Sequence, residues 1–309
     1  MDVDTTDADY RSRLQAESRK WGEHLKVEAA GTWNAWLDHP FIADHYRRRA
    51  LVDGLSWPQW VRKQVGGPVQ RSLDLGCGAG SRSFAVHDEG ATACIEGLDI
   101  SEDRIAEAER IRRERSISGS FRVEDSNTSE LPAAQYQLVF SCHSFHHFLR
   151  LEHIMEQVHK ALLPSGLFVL EEFVGPTQFQ WTEQQIALVR SLMLLLPERL
   201  RRFRWGAIKT FEGRPTPAEV VASSPFESIR SAEIYPLFDR YFQIVAVRKL
   251  GGTIQHLLYN GIMHNFRPDD PDALSCMQAV ASVEDALIDN DLLPSDFMLL
   301  IGRRKDARR

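Results

Sequence analysis

The sequence predicts an α/β fold, a parallel sheet with helices on both faces. Three observations carry this. From Arg71 onward, short apolar runs alternate with helix-like stretches, and such alternation builds parallel sheets. The first run ends in a glycine-rich turn, Gly76-Cys77-Gly78-Ala79-Gly80, the form of a tight strand-to-helix connection. Two more strand-like runs follow a long helical stretch and complete a set of seven.

Residues 1–65 are charged and tryptophan-rich without strand alternation, and read as helical. Strands are expected at 71–75, 94–100, 121–124, 136–142 and 166–174. Helices are expected between them at 101–115 and 151–163. After Gly175-Pro176 the alternation stops. The stretch 179–241 reads as mostly helical, with an interruption at 213–217. The sixth and seventh strands are expected at 242–250 and 297–303. Between them, Asp270-Pro271 has the form of an N-cap followed by proline at the first helical position. Leu274, Met277, Val280, Val283, Leu287 and Ile288 then mark one apolar helix face.

The bulk composition narrows the function. The chain has 309 residues, 43% hydrophobic and 26% charged, with a net charge of -6. An acidic chain is a poor non-specific nucleic-acid binder, so no nucleic-acid partner is expected. The longest apolar run near the middle, 192–196, is far too short for the roughly 20 residues of a membrane span, and no membrane partner is expected. The first nine residues are acidic and polar, unlike a secretory signal. Cys77, Cys94, Cys142 and Cys276 show no CxxC pair and no zinc-ligand spacing. A cytoplasmic protein with reduced thiols is the expectation.

The chemistry concentrates at strand ends. Glycines in the first turn supply backbone angles that a Cβ forbids and let the backbone approach a ligand. The second strand ends Leu98-Asp99-Ile100, with Asp99 about 20 residues past the turn, where an acid can hold ribose hydroxyls. The third ends Val123-Glu124-Asp125, beside the same crevice. A nicotinamide fingerprint requires Gly or Ala at position 81, where this chain has Ser81. The spacing is GxGxG.

The run from Leu73 to Gly80, together with Asp99, Asp125, the segment 136–148 and Leu162-Leu163-Pro164-Ser165-Gly166, resembles the class I S-adenosylmethionine (SAM)-dependent methyltransferases over roughly 70–175. Gln137 and Ser165 depart from the family at positions distant from the cofactor. Glu171-Glu172-Phe173-Val174-Gly175-Pro176, with Phe179-Gln180-Trp181, is similar to a subgroup of bacterial small-molecule methyltransferases. The resemblance implies a Rossmann-like seven-stranded sheet whose last strand is antiparallel, and SAM as cofactor. It implies that Asp74, Gly76, Cys77, Gly78 and Gly80 surround the methionine part, that Asp99 and Ile100 hold the ribose, and that Asp125 and Ser126 meet the adenine. Cys142 is expected at the same edge. The chain then divides into a helical lid (1–65), a SAM-binding core (66–176), a helical acceptor-binding insertion (177–241) and closing strands (242–309).

Methyl transfer from a sulfonium needs orientation and, for some acceptors, a base. Strand four ends in His143-Ser144-Phe145-His146-His147, and histidine suits proton transfer near neutral pH. His143 and His147 are the candidates there. Glu171 and Glu172 should point to opposite faces of the fifth strand, and Glu172 is the third catalytic candidate. No cysteine or nearby carboxylate completes a ligand set with the histidines, so no metal is expected. His256, Tyr259 and His264 form a second polar cluster.

All seven tryptophans, Trp21, Trp33, Trp36, Trp57, Trp60, Trp181 and Trp205, fall outside the core segment, where aromatic walls can bind an apolar acceptor. Arg199, Arg201, Arg202 and Arg204, with Phe203 and Trp205, would suit an anionic one. The leading expectation is methylation of a small molecule at oxygen, nitrogen or carbon. A catalytically silent SAM-binding regulator or scaffold is the alternative. An RNA or protein methyltransferase is disfavoured, because no Asn-Pro-Pro-Tyr or Asp-Pro-Pro-Tyr motif follows strand four. A homodimer is compatible with this reading.

Overall fold

The fifth strand shows how the molecule is layered. Leu167, Val169 and Phe173 enter one hydrophobic cluster, and Phe168 and Leu170 enter another on the opposite face. Successive side chains of a strand alternate between faces, so a strand apolar at every position is covered on both sides. The computed structural model describes residues 5, 7–29, 35–210 and 213–305.

Three helices precede the sheet: α1 (Ala8–Ala29), α2 (Pro40–Arg49) and α3 (Trp57–Val65). The order continues β1 (Ser72–Leu75), α4 (Ser81–Asp88), β2 (Ile95–Asp99), α5 (Glu102–Glu114), β3 (Gly119–Val123), β4 (Tyr136–Cys142), α6 (Leu151–Ala161) and β5 (Leu162–Phe173). Then come α7 (Glu183–Leu195), α8 (Pro217–Ser223), α9 (Ile234–Tyr241), β6 (Phe242–Gly251), α10 (Gln255–Tyr259), α11 (Pro271–Asp289) and β7 (Phe297–Arg304). The seven strands lie in the order β3-β2-β1-β4-β5-β7-β6. Strand β7 runs antiparallel to both its neighbours, β5 and β6, and the other neighbouring strands pair in parallel. This is the Rossmann-like sheet that the strand alternation and the resemblance imply.

Local chemistry sets the helix ends. Ser101 caps α5, with Glu102 and Asp103 in its first turn and Arg112 and Arg113 in its last. Charges so placed complement the helix dipole. Asp270 caps α11 through the backbone N–H groups of Asp272 and Ala273, and Pro271 follows at the first position.

Three departures from expectation have physical causes. Strand β5 starts at Leu162, earlier than its apolar run, and its pairing with β4 shifts register between Tyr136 and Leu138. The stretch 179–241 is less helical than its composition, because Pro197, Pro215 and Pro217 punctuate it. Among the described residues of the first 65, α1 alone contributes to the wall of the main cavity. Trp36, Trp57 and Trp60 instead join the larger hydrophobic cluster against the sheet, and Trp33 lies outside the described residues.

One close approach in β2 positions the turn that follows β1. A Cβ on Gly97 would fall against the Phe121 ring and within 2.8 Å of Cys77 Sγ. Gly97→Ala should therefore cost about 1–3 kcal/mol by overpacking and lift the turn, lowering both the denaturation midpoint in urea and the affinity for SAM.

Candidate functional site

The turn after β1 is held down on β2. The backbone N–H groups of Gly76 and Cys77 both donate to Leu98 O, at 2.8 and 3.0 Å. Gly76 has φ +71, and a Cβ there would meet Ser144 Oγ at 2.5 Å; glycine meets both demands. A cavity opens above the turn, between the carboxyl ends of β1, β2, β3 and β4. Its wall includes Asp74, Gly76, Cys77, Gly78, Asp99, Ile100, Asp125, Ser126, Cys142, His143 and His147. Gly80 is the exception among the expected cofactor residues. It packs against Phe84 and Ala108 under the start of α4 and lies outside the cavity wall.

The three acids differ in environment. Asp74 is buried, accepts a 2.5 Å hydrogen bond from Ser83 Oγ, and is pushed up to about 7 by burial. Asp99 accepts the N–H of Gly78 at 2.9 Å and that of Ser101 at 2.8 Å. Burial raises its pKa, and the two N–H groups oppose the rise. Asp125 accepts the backbone N–H of Asn127 at 2.9 Å and the Tyr10 hydroxyl at 2.5 Å.

Tyr10 belongs to α1, and so do Leu14, Glu17 and Trp21 in the cavity wall. This helix covers the cavity. Arg104 from α5 braces it by donating to Trp21 O at 2.8 Å, and its guanidinium lies 5.4 Å from the centre of the Trp21 ring.

The strand ends carry the charged groups. His143 adopts φ +54, a conformation that costs a non-glycine residue energy. Its N–H donates to Glu171 O at 2.9 Å, and its Nε2 lies 3.7 Å from Glu171 Oε1. Glu171 also accepts from Arg82 Nη2 at 2.9 Å and from Trp57 Nε1 at 3.0 Å. Burial opposes its charge, but Arg82 and His143 outweigh burial and hold it down at about 2.

Glu171 and Glu172 do face opposite ways, and it is Glu171, not the expected Glu172, that reaches a cavity. Glu172 is fully buried and lines neither this cavity nor the second one. It accepts the N–H groups of Ser144 at 2.9 Å and Phe145 at 2.6 Å, and pairs with His146 Nδ1 at 2.5 Å. With these lone pairs occupied, it shapes the loop after β4 and cannot reach an acceptor. Glu171 instead borders a second cavity, lined by Leu37, Tyr46, Arg47, Trp57, Pro58, Arg82 and His143. Arg82 and His143 border both cavities.

The other clusters lie elsewhere. His256 is boxed by Trp36, Phe173, Phe179 and Phe297, and burial pushes it down to about 4, keeping it neutral. Tyr259 is buried in the main hydrophobic cluster. Neither, nor His264, lines either cavity. Arg199 pairs with Asp270 at 2.5 Å, Arg202 pairs with Glu198, and Trp205 is exposed against Phe203. None of the 199–205 stretch touches either cavity.

Sequence reasoning missed Tyr10, Glu17, Arg82 and Arg104. Each sits on a helix whose charged faces look solvated in sequence. Arg82 carried the one available signal, as the second residue of the helix that follows the glycine turn.

A doubly wound sheet with acids at three consecutive strand ends defines a nucleotide-type cofactor site. Residues 69–209 match the family model of a methyltransferase domain. This segment is a class I methyltransferase domain, and the cofactor of that family is SAM. The chain is 36% identical over 77 residues to aklanonic acid methyltransferase DauC of Streptomyces sp. (strain C5), covering 24% of this chain and 35% of that one. It is 29% identical over 115 residues to squalene methyltransferase 1 of Botryococcus braunii, covering 36% and 30%. The matches thus span about a third of the length of these curated relatives. Among solved structures, geranyl diphosphate C-methyltransferase from Streptomyces coelicolor A3(2) aligns over 80% of this chain and 78% of that one, at 13% identity and a TM-score of 0.49.

Removing the α1 contact should loosen the cover. A hydrogen bond to a charged group contributes about 1.5–3 kcal/mol, so Tyr10→Phe should speed amide hydrogen exchange across 8–29 by roughly tenfold or more. The rate in β4 should stay unchanged.

Proposed function

We propose that this chain transfers the methyl group of SAM to a small apolar or aromatic molecule. The observation that carries the reading is the sharing of Arg82 and His143 by two cavities. One cavity has the three acids and the glycine turn. The other has a mixed wall, with Leu37, Tyr46, Trp57 and Pro58 beside Arg47, Arg82, Glu89 and Glu171. The first would hold SAM, with Asp125 and Ser126 for the adenine, Asp99 and Ile100 for the ribose, and Asp74, Gly76, Cys77 and Gly78 for the methionine part. Cys142 lines the same cavity as a neutral thiol, its pKa raised by burial.

The second cavity would hold the acceptor, with His143 at its border with the first. The two arginines of that cavity, Arg47 and Arg82, already face Asp44 and Glu171. This favours a neutral acceptor over the anionic one that the 199–205 stretch suggested. The named relatives methylate small molecules, aklanonic acid and squalene by their names, which agrees in class. His143 is the base for an acceptor that must lose a proton. His147 lies in the wall of the first cavity alone, against Glu17, and serves there as a positioning residue.

Two outcomes test this. His143→Ala should lower kcat at saturating SAM by about 10²–10⁴-fold, the usual range for a positioned base; an unchanged kcat removes His143 from the chemistry. The cationic cofactor favours the ionised form of Asp74, which burial holds at about 7. SAM uptake below pH 7 must then release a proton. Affinity should fall from pH 7 to pH 6 by up to about tenfold, the limit for one linked proton. Asp74→Asn should bind more weakly and lose this dependence, as read by calorimetry.

A further inference from the structure

We propose that His146, His147 and Glu227 bind one divalent transition-metal ion, of the zinc type, beside the cofactor cavity. The sequence offered two histidines and no carboxylate to complete the set. The fold supplies it from 80 residues downstream, in the segment between α8 and α9. Each of the three places one ligand atom within 4.8 Å of the other two. Among the described residues this is the one such group of His, Cys, Asp or Glu.

The distances suit a small adjustment. His146 Nε2 already lies 3.5 Å from Glu227 Oε1. A tetrahedral zinc with ligands at about 2.0 Å holds them roughly 3.3 Å apart. The remaining approach is within reach of side-chain rotation.

The surroundings are those of a metal site. His146 Nδ1 is committed to Glu172 Oε1 at 2.5 Å. A carboxylate on one ring nitrogen fixes the ring and presents the other nitrogen to a metal. His147 Nδ1 is buried and lies 3.1 Å from Glu17 Oε1, but is too far off line for a hydrogen bond. A buried imidazole nitrogen without an aligned partner is costly. Glu17 itself is satisfied by Ser224 Oγ at 2.8 Å and Trp21 Nε1 at 2.8 Å.

Three carboxylates, Glu17, Glu172 and Glu227, surround the pair of rings, whose centroids lie 4.2 Å apart. Two imidazoles and one carboxylate suit zinc and its neighbours better than magnesium or calcium, which prefer all-oxygen sets. The ion would tie the loop after β4 to the segment before α9.

The test needs neither SAM nor an acceptor, so it stands or falls apart from the methyl-transfer reading. Untagged full-length protein is stripped with chelator and titrated with Zn2+ by calorimetry, and its melting temperature is read with and without the ion. One equivalent should bind, and the melting temperature should rise. Glu227→Gln should weaken binding at least tenfold and abolish the thermal shift. Glu172→Gln, which alters the carboxylate that orients His146 and gathers the loop after β4, should weaken it by about 10–100-fold. If Glu227→Gln fails to fold, His147→Asn takes its place with the same expectation. Folded wild type that binds no Zn2+, Mn2+ or Co2+, or an unchanged Zn2+ affinity in these variants, overturns the proposal.

Discussion

Every group in the main cavity depends on the placement of β1 between β2 and β4. The chain leaves β1 toward β2 and β3 on one side and returns to β4 on the other. The connections diverge there, and a crevice opens at the carboxyl edge. The turn after β1 must then bend back over β2 without filling that crevice. Two N–H groups on one carbonyl, Leu98 O, and the absence of a side chain at Gly76 make this bend. Asp99 and Asp125 follow as the ends of the next two strands.

The second organising feature is a pair of adjacent glutamates at the end of β5. A strand sends successive side chains to opposite faces, so one strand end serves two purposes. Glu171 anchors Arg82, Trp57 and His143 at the junction of two cavities. Glu172 gathers the backbone of the loop after β4 and sets the ring of His146. The strained backbone at His143 lies between these two anchors. Energy stored there is tolerated because hydrogen bonds donated by the loop's N–H groups to both glutamates hold it in place.

Much of this was legible in the sequence, because the signals are local. Apolar runs marked the seven strands to within a few residues, and the glycine turn with Asp99 and Asp125 marked the sheet edge where the main cavity opens. What escaped was long-range. The contact of Tyr10 with Asp125 joins residues 115 apart, and that of Glu17 with Ser224 joins residues 207 apart. No spacing rule reports such pairs. Glu171 and Glu172 were rightly sent to opposite faces, but which face met the cavity depended on strand registry that alternation leaves undetermined. Gly80 looked like a cofactor residue because it completes the motif; its work is to let α4 and α5 pack closely.

The central claim is that the cavity beneath α1 is a SAM site. Calorimetric titration of the wild-type chain and of Asp99→Ala with SAM and with NAD tests it directly. The account predicts micromolar SAM affinity that collapses in the variant, and no NAD binding. NAD binding, or SAM affinity indifferent to Asp99 in a folded protein, would contradict it.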